Sequence, residues 1–262
     1  MTVKALTDRE GKQANTATEK EEMLRRESFP LNDDDDKYYE LSPAESAHTH
    51  VTEYPVVRKR ASGLVIHKHG KDDYTKLKAY RSISLLSCMG KVVEKVVTEL
   101  LSEEAEQGGL LSNGQLGSRK GQSAIDAVAI MVDRVHPAWK NSHITGMLLM
   151  DIKAAFPSMA KGRLVNLMKV RQIDGDLIRW TESFLSARTV EMIIEGNAMV
   201  SHPVEAGVPQ GSPVSPILFA ISTSGLIKWV EEYVSAEGLS FVDDLGWVAT
   251  GSDVNEVVET LE

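Results

Sequence analysis

Apolar residues are too sparse over residues 1–53 to sustain a period, and this stretch is predicted to be a flexible acidic extension. Ordered structure is predicted from about Tyr54. Two basic-flanked strand candidates, VVRKR and GLVIHKH, precede the turn-rich stretch Gly70 to Tyr74. Val93, Val96, Val97, Leu100 and Leu101 then recur at i, i+3, i+4, i+7 and i+8, which predicts a helix with one apolar stripe closed by Gly108 and Gly109. Ile125, Val128, Ala129 and Val132 predict a second helix. At 147–152 the period is lost in the run MLLMDI, the pattern of a strand covered on both faces, with Asp151 at its far end.

Helices are predicted at about 160–172 and 175–187. TVEMIIE and AMVSHPV flank a Glu-Gly-Asn turn as a hairpin. The Pro- and Gly-rich GVPQGSPVSP opens a long helix from about Val214 to Val234. The segment LSFVDDLGWVAT reads as a second hairpin with two acids near its tip, and Asp253 with Glu256 as a capping box for another helix. Strands mixed with helices in this order predict an α+β fold, a mainly antiparallel sheet backed by helices on one face.

Composition changes this picture little. A 42% apolar content is enough for a core, and the single Cys88 excludes a disulfide framework and a cysteine-paired zinc site, which fits a reducing compartment. No apolar run approaches the roughly 20 residues needed to span a bilayer, and the first residues lack a secretory apolar core, so a soluble intracellular protein is expected. The acidic run Asp33 to Asp36 lacks the glycine and spaced acceptors of a calcium loop and reads as a solvated charge run. His48 with His50, and His67 with His69, alternate as strand ligands would, but no cysteine cluster accompanies them.

Charge carries more information in its distribution than in its sum. The net −9 argues against a nucleic-acid binder, yet residues 1–53, 54–150 and 151–262 carry −6, +5 and −8. A basic middle before an acidic third suits a chain that grips phosphates with one part and holds cations with the other.

The chemistry centres on acids. Asp151 ends a strand, while Asp243 and Asp244 sit at a hairpin tip some 90 residues later. Singly these are ordinary turn and strand-end residues. If the two strands are neighbours, the carboxylates meet at one sheet edge, where like charges about 4 Å apart repel by about 4 kcal/mol at an effective dielectric of about 20. Hard divalent cations with oxygen ligands answer that repulsion, and a pair of them is the usual clamp for in-line phosphoryl transfer.

Four ordered blocks, KAYRSISLLSCMGKVVEKVV at 78–97, LLMDIKAAFPSM at 148–159, AGVPQGSPVSPILF at 206–219 and SFVDDLGWVATG at 240–251, resemble the reverse transcriptases of LINE-like (non-LTR) retrotransposons, particularly fungal ones. The resemblance spans about residues 54–262. It implies a polymerase fingers and palm with the thumb missing, truncated after the catalytic hairpin. Asp151, Asp243 and Asp244 then resemble the catalytic metal site, with the carbonyl of Ile152 helping to hold the nucleotide's metal. Phe156 resembles the aromatic gate under the sugar, Gln210 the polar lining of the nucleotide pocket, and Gly211 the residue that lets backbone approach. Lys68 and Arg81 resemble the two basic residues on the triphosphate, and Arg119 and Lys120 are candidates to touch the template.

The chain departs from the family pattern at His67 and His69, where a PKPGK-like fingertip carries proline, and at Ser82, which also replaces a proline. A Gly-Pro-Asp block usual before Tyr54 is absent. The resemblance implies an RNA-directed DNA polymerase using two Mg2+ ions, with Mn2+ as a substitute. RNA template, DNA primer and deoxynucleoside triphosphates would be its partners, no membrane would be involved, and the family would place it in the nucleus. The alternatives are a catalytically inactive RNA-binding remnant and a viral RNA-dependent RNA polymerase, against which Phe156 argues.

Overall fold

The computed structural model describes residues 5–8, 10–28, 59–234 and 236–262. In chain order the elements are β1 (Leu6–Thr7), β2 (Gln13–Ala14), α1 (Ala17–Ser28), β3 (Arg60–His67) and β4 (Tyr80–Leu85). Then come α2 (Cys88–Gln107), α3 (Ala124–Lys140), β5 (Ile144–Asp151), α4 (Lys161–Val170) and α5 (Gly175–Leu185). The remaining elements are β6 (Arg188–Ile194), β7 (Asn197–Val204), α6 (Ser215–Tyr233), β8 (Glu237–Phe241), β9 (Asp244–Gly251) and α7 (Val254–Leu261). They form two compact units, one of residues 1–97 with 156–215 and one of residues 98–155 with 216–262.

The first unit is built on a four-stranded sheet in the order β4-β3-β6-β7. Strands β3 and β6 run parallel, and the flanking pairs are antiparallel. Period-two alternation sends Val65 from β3 and Val190, Met192 and Ile194 from β6 into one core, and Gly63 leaves room for Met192, whose Sδ would lie 2.5 Å from a Cβ there. The predicted hairpin forms with Glu195 and Gly196 at φ of 53° and 84°, the left-handed pair that a two-residue turn needs.

Residues 6–8 and 10–28 depart from the flexible extension expected of 1–53. Leu6, Ala14 and Leu24 are buried in the same core, and α1 starts at a capping box in which Glu19 Oε2 accepts from the amides of Asn15 and Thr16. The buried Lys20 is paired, its Nζ 2.9 Å from Glu195 Oε1. The predicted VVRKR strand overlaps the described residues only at Lys59 and Arg60. The Asp33 to Asp36 run, His48 and His50, and the start of order at Tyr54 lie outside them.

The second unit carries an antiparallel sheet in the order β5-β9-β8. Its core joins Ile227 and Val230 of α6, Leu245, Trp247 and Ala249 of β9, and Val257 of α7. Gly146 of β5 admits α7, since a Cβ there would stand 2.4 Å from Val257 Cγ1. Strand β5 differs from the sequence expectation: Leu149 is 70% exposed, and Met147, Leu148 and Met150 are partly exposed too. As the outer strand it has a neighbour on one side only. The helix predicted through Ile125 and Val128 also forms, capped by Ser123, but those two residues and Val132 are exposed rather than buried. In α2 the buried positions are Gly90, Glu94, Val97, Leu101 and Ala105, so Val96 and Leu100 of the predicted stripe face outward. No helix among the described residues is long and apolar enough to cross a membrane.

Candidate active site

The register of β5 on β9 runs from Ile144 opposite Gly251 to Asp151 opposite Asp244. Directly opposed residues of an antiparallel pair project to the same face, with Cβ atoms about 4.5–5.5 Å apart. Asp244 also faces Phe241 of β8, so it opens the hairpin, and Asp243 occupies the turn. The ladder continues one step past Asp151, because the Ile152 amide donates to the Asp243 carbonyl at 3.2 Å. Asp151 and the Asp243–Asp244 pair, about 90 positions apart in the chain, are thereby gathered at one end of one sheet.

The turn itself is strained and braced. Val242 has φ of 61°, which a β-branched residue rarely adopts. The loop 114–117 holds it: the Ser240 amide donates to the Gly114 carbonyl at 2.8 Å, and the Leu116 amide donates to the Ser240 carbonyl at 2.9 Å. Gly114 and Gly117 permit this approach, since a Cβ would lie 1.7 Å from the Gly238 oxygen at the first and 2.2 Å from the Val242 nitrogen at the second.

The donor set fits hard cations. Asp151 and Asp244 offer oxygen ligands at the surface, and no Lys or Arg pairs with Asp151, Asp243 or Asp244 among the described residues. The three do not close into a ready three-ligand cluster, and no such cluster of His, Cys, Asp or Glu exists elsewhere among the described residues.

The predicted nucleotide-binding residues all belong to the first unit. Arg81 stands opposite Ile66, and Lys68, two residues further along, continues the ladder through its amide to the Ala79 carbonyl at 2.8 Å. The pleat therefore carries Lys68 and Arg81 to one face of the β3–β4 hairpin. Gln210 is half-buried and its carbonyl accepts from the Ser84 amide at 2.7 Å. Gly211 has φ of 117°, and a Cβ there would lie 2.8 Å from the Ser84 oxygen, so the backbone it lets in is that of β4. The turn continues to Ser212, whose hydroxyl donates to the buried Glu94 carboxylate of α2. Burial outweighs that hydrogen bond and pushes the Glu94 pKa up.

Phe156 is half-buried, and its carbonyl accepts from the Val208 amide at 2.9 Å. Arg188, which sequence reasoning passed over, ties the same turn: its Nη2 donates to the carbonyls of Ala206 at 2.9 Å and Gly207 at 2.5 Å. Its signal was present, since RTVEMII puts a guanidinium in phase with Val190, Met192 and Ile194. Burial pulls its pKa down to about 10.

Arg119 is engaged within its own unit. Its Nε and Nη2 donate to the Glu106 carboxylate at 2.7 and 2.6 Å, and its Nη1 donates to the carbonyls of Ser112 and Gln115 at 2.7 and 3.1 Å. A guanidinium engaged on every nitrogen is an internal brace for the loop that holds the 242 turn, with no fork left for a template phosphate. Lys120 is exposed.

An antiparallel hairpin bearing paired aspartates thus lies beside a third strand that ends in aspartate. The comparisons supply the class. The chain belongs to the family described as reverse transcriptase (RNA-dependent DNA polymerase), whose model matches residues 66–262. The probable RNA-directed DNA polymerase from transposon BS of Drosophila melanogaster is 26% identical over 214 residues, 80% of this chain and 23% of that protein. The RNA-directed DNA polymerase from the mobile element jockey of the same fly is 29% identical over 173 residues, 66% of this chain and 19% of that protein. The chain thus spans about a quarter or less of the curated relatives it matches.

Among solved structures, apo telomerase from Candida tropicalis truncated from its C-terminal domain is similar with a TM-score of 0.53 at 15% identity, over 78% of this chain and 45% of that one. Telomerase from Candida albicans in complex with a TWJ fragment of telomeric RNA gives 0.53 at 12% identity, over 77% of this chain and 39% of that one. Identity this low speaks for the fold alone.

Proposed function

We propose that this chain is the nucleotidyl-transfer part of a non-LTR retrotransposon reverse transcriptase, extending a DNA primer on an RNA template with deoxynucleoside triphosphates. The observation that carries the reading is the register that sets Asp151 against Asp244 with Asp243 in the adjoining turn. Asp151, Asp243, Asp244 and the Ile152 carbonyl would hold a pair of Mg2+ ions, with Mn2+ as a substitute. When bound, such ions lower the pKa of the attacking 3′-hydroxyl and neutralise charge on the triphosphate.

The protein's own groups do the rest. Lys68 and Arg81 bind triphosphate oxygens from one face of their hairpin, a point charge beside a planar fork. Phe156 excludes a ribose 2′-hydroxyl by contact, and Gln210 lines the pocket on a turn that Gly211 and Ser84 hold in place. Lys120, exposed at its loop, is the remaining candidate for the template backbone. Kinship to fungal elements in particular rests on the four motif blocks, and a nuclear site of action rests on the family resemblance alone.

Primer extension on an RNA template tests this. Asp243→Asn is expected to lower incorporation by about 1000-fold or more, the effect of losing several kcal/mol of transition-state stabilisation. Equal extension by the variant and the parent would remove the metal-site assignment. Salt-sensitive RNA binding without any incorporation by the parent would favour the inactive remnant instead.

A further inference from the structure

Arg188 opens β6 on the inward face of the strand and is 7% exposed. A buried guanidinium is costly to desolvate unless its donors are met. Here Nε and Nη2 are met by backbone: Nη2 donates to the carbonyls of Ala206 and Gly207, and Nε to that of Leu185 at 3.3 Å. The other side of the same turn is held by amides. Gly207 donates to the Met159 carbonyl at 2.9 Å, and Val208 donates to that of Phe156 at 2.9 Å.

Little slack remains between these two sets. Gly207 has φ of 70°, and a Cβ there would come within 2.6 Å of the Phe156 oxygen and 2.5 Å of the Pro157 oxygen. Three residues after Gly207, the Gln210 carbonyl accepts from Ser84. The segment that carries Gln210 is therefore anchored at both ends, and the anchor nearer Phe156 includes the buried cation.

We propose that Arg188 is a positioning residue for nucleotide selection: it clamps the 206–210 turn against the Phe156 segment and so sets the discrimination between deoxyribo- and ribonucleoside triphosphates. The inference rests on the reading above, in which Phe156 and Gln210 line the nucleotide pocket. Arg188 itself touches no substrate. A lysine cannot replace it, because a single ammonium lacks the planar fork that meets Leu185, Ala206 and Gly207 together.

The test compares the full chain with Arg188→Lys and Arg188→Gln. It measures kcat/KM for dNTP against the matching rNTP, the melting temperature, and hydrogen exchange at the Gly207 and Val208 amides. In the Lys variant those amides are expected to exchange faster, and the preference for dNTP to fall by about 10- to 100-fold, the size of loss that a misplacement of about 1 Å produces. The Gln variant falls further. A folded Lys variant with an unchanged dNTP/rNTP ratio overturns the proposal, as does a parallel loss on both substrates with the ratio constant.

If neither variant folds, the parent decides: Gly207 and Val208 amides exchanging as fast as an open loop refute the clamp. A parent that binds and incorporates no dNTP strikes instead at the polymerase reading, and takes the selectivity role with it. Faster exchange in the Lys variant would still show the clamp in that case, so the two failures are told apart.

Discussion

Asp151 and Asp244 lie directly opposite each other across β5 and β9, one step from the end of the sheet. Like charges in that position are destabilising. Under the proposed function, a cation bound between them would offset that repulsion. Asp244→Asn is therefore expected to raise the melting temperature slightly in chelator and to remove most of the further rise that added Mg2+ gives the parent, since only the native state binds the ion. Thermal melts with and without Mg2+ check both signs. A parent indifferent to Mg2+ over the millimolar range would contradict the assignment.

Gly117 bears on the same site from behind. An added Cβ would stand 2.2 Å from the Val242 nitrogen and 3.0 Å from the Phe241 carbonyl carbon, both backbone atoms that cannot swing aside. Gly117→Ala is expected to cost about 1–3 kcal/mol as overpacking. It should also displace the turn that carries Asp243. Denaturant unfolding gives the first effect. Primer extension under conditions where the variant stays folded gives the second, expected as a loss of roughly 100-fold for a shift of about 1 Å. A stable variant with full activity would show that the turn is not braced from Gly117.

Arg119 and Lys120 are adjacent in sequence and differently placed. Arg119 braces its own loop through Glu106, Ser112 and Gln115, whereas Lys120 is exposed. Arg119→Ala is expected to lower stability by about 1–3 kcal/mol through the unsatisfied carbonyls and carboxylate it leaves, with little change in RNA affinity per folded molecule. Lys120→Ala should leave stability unchanged and flatten the salt dependence of RNA binding by roughly one phosphate contact. Paired unfolding and filter-binding measurements distinguish the two. The reverse pattern would return the template role to Arg119.

The sequence disclosed the elements that a period can encode. The TVEMIIE–AMVSHPV hairpin, the helix after GVPQGSPVSP and the strand-end position of Asp151 all follow from alternation, turn residues and strand length. Periodicity tells which side chains share a face, not what covers it. Hence Leu149 and Ile125 are exposed although their patterns predict burial, because the outer strand and helix face have no neighbour there among the described residues. Sparse apolar content likewise hid α1, whose burial of Leu24 is sustained by the Thr16–Glu19 capping box and the Lys20–Glu195 pair. The capping box expected at Asp253 is half realised: Asp253 accepts from Asn255 and Glu256, but Glu256 reaches Ser252. Arg188 escaped, and the bracing contacts of Arg119 went unforeseen, because a basic residue beside a strand or in a loop reads as solvated until its backbone partners are known.

Glu94 gives the fold a pH dependence whose sign is opposite to that of an ordinary paired acid. Burial, opposed by the hydrogen bond from Ser212 and by the nearby Lys91 charge, raises its pKa above the usual 4.5. The native state thus holds this proton to higher pH than the unfolded chain does. Where the native state binds more protons, stability falls as pH rises. The contribution of Glu94 is full below about 4.5, declines as pH climbs through the raised native value, and is constant above it. Glu94→Gln keeps the shape and an acceptor for Ser212 but cannot ionise, so it is expected to remove that decline. It should lie closer to the parent at acidic pH than a truncation such as Glu94→Ala, which also orphans the Ser212 hydroxyl. Urea midpoints measured across the acid range for the three proteins check this. A decline of the same steepness in Glu94→Gln would assign the dependence to another group.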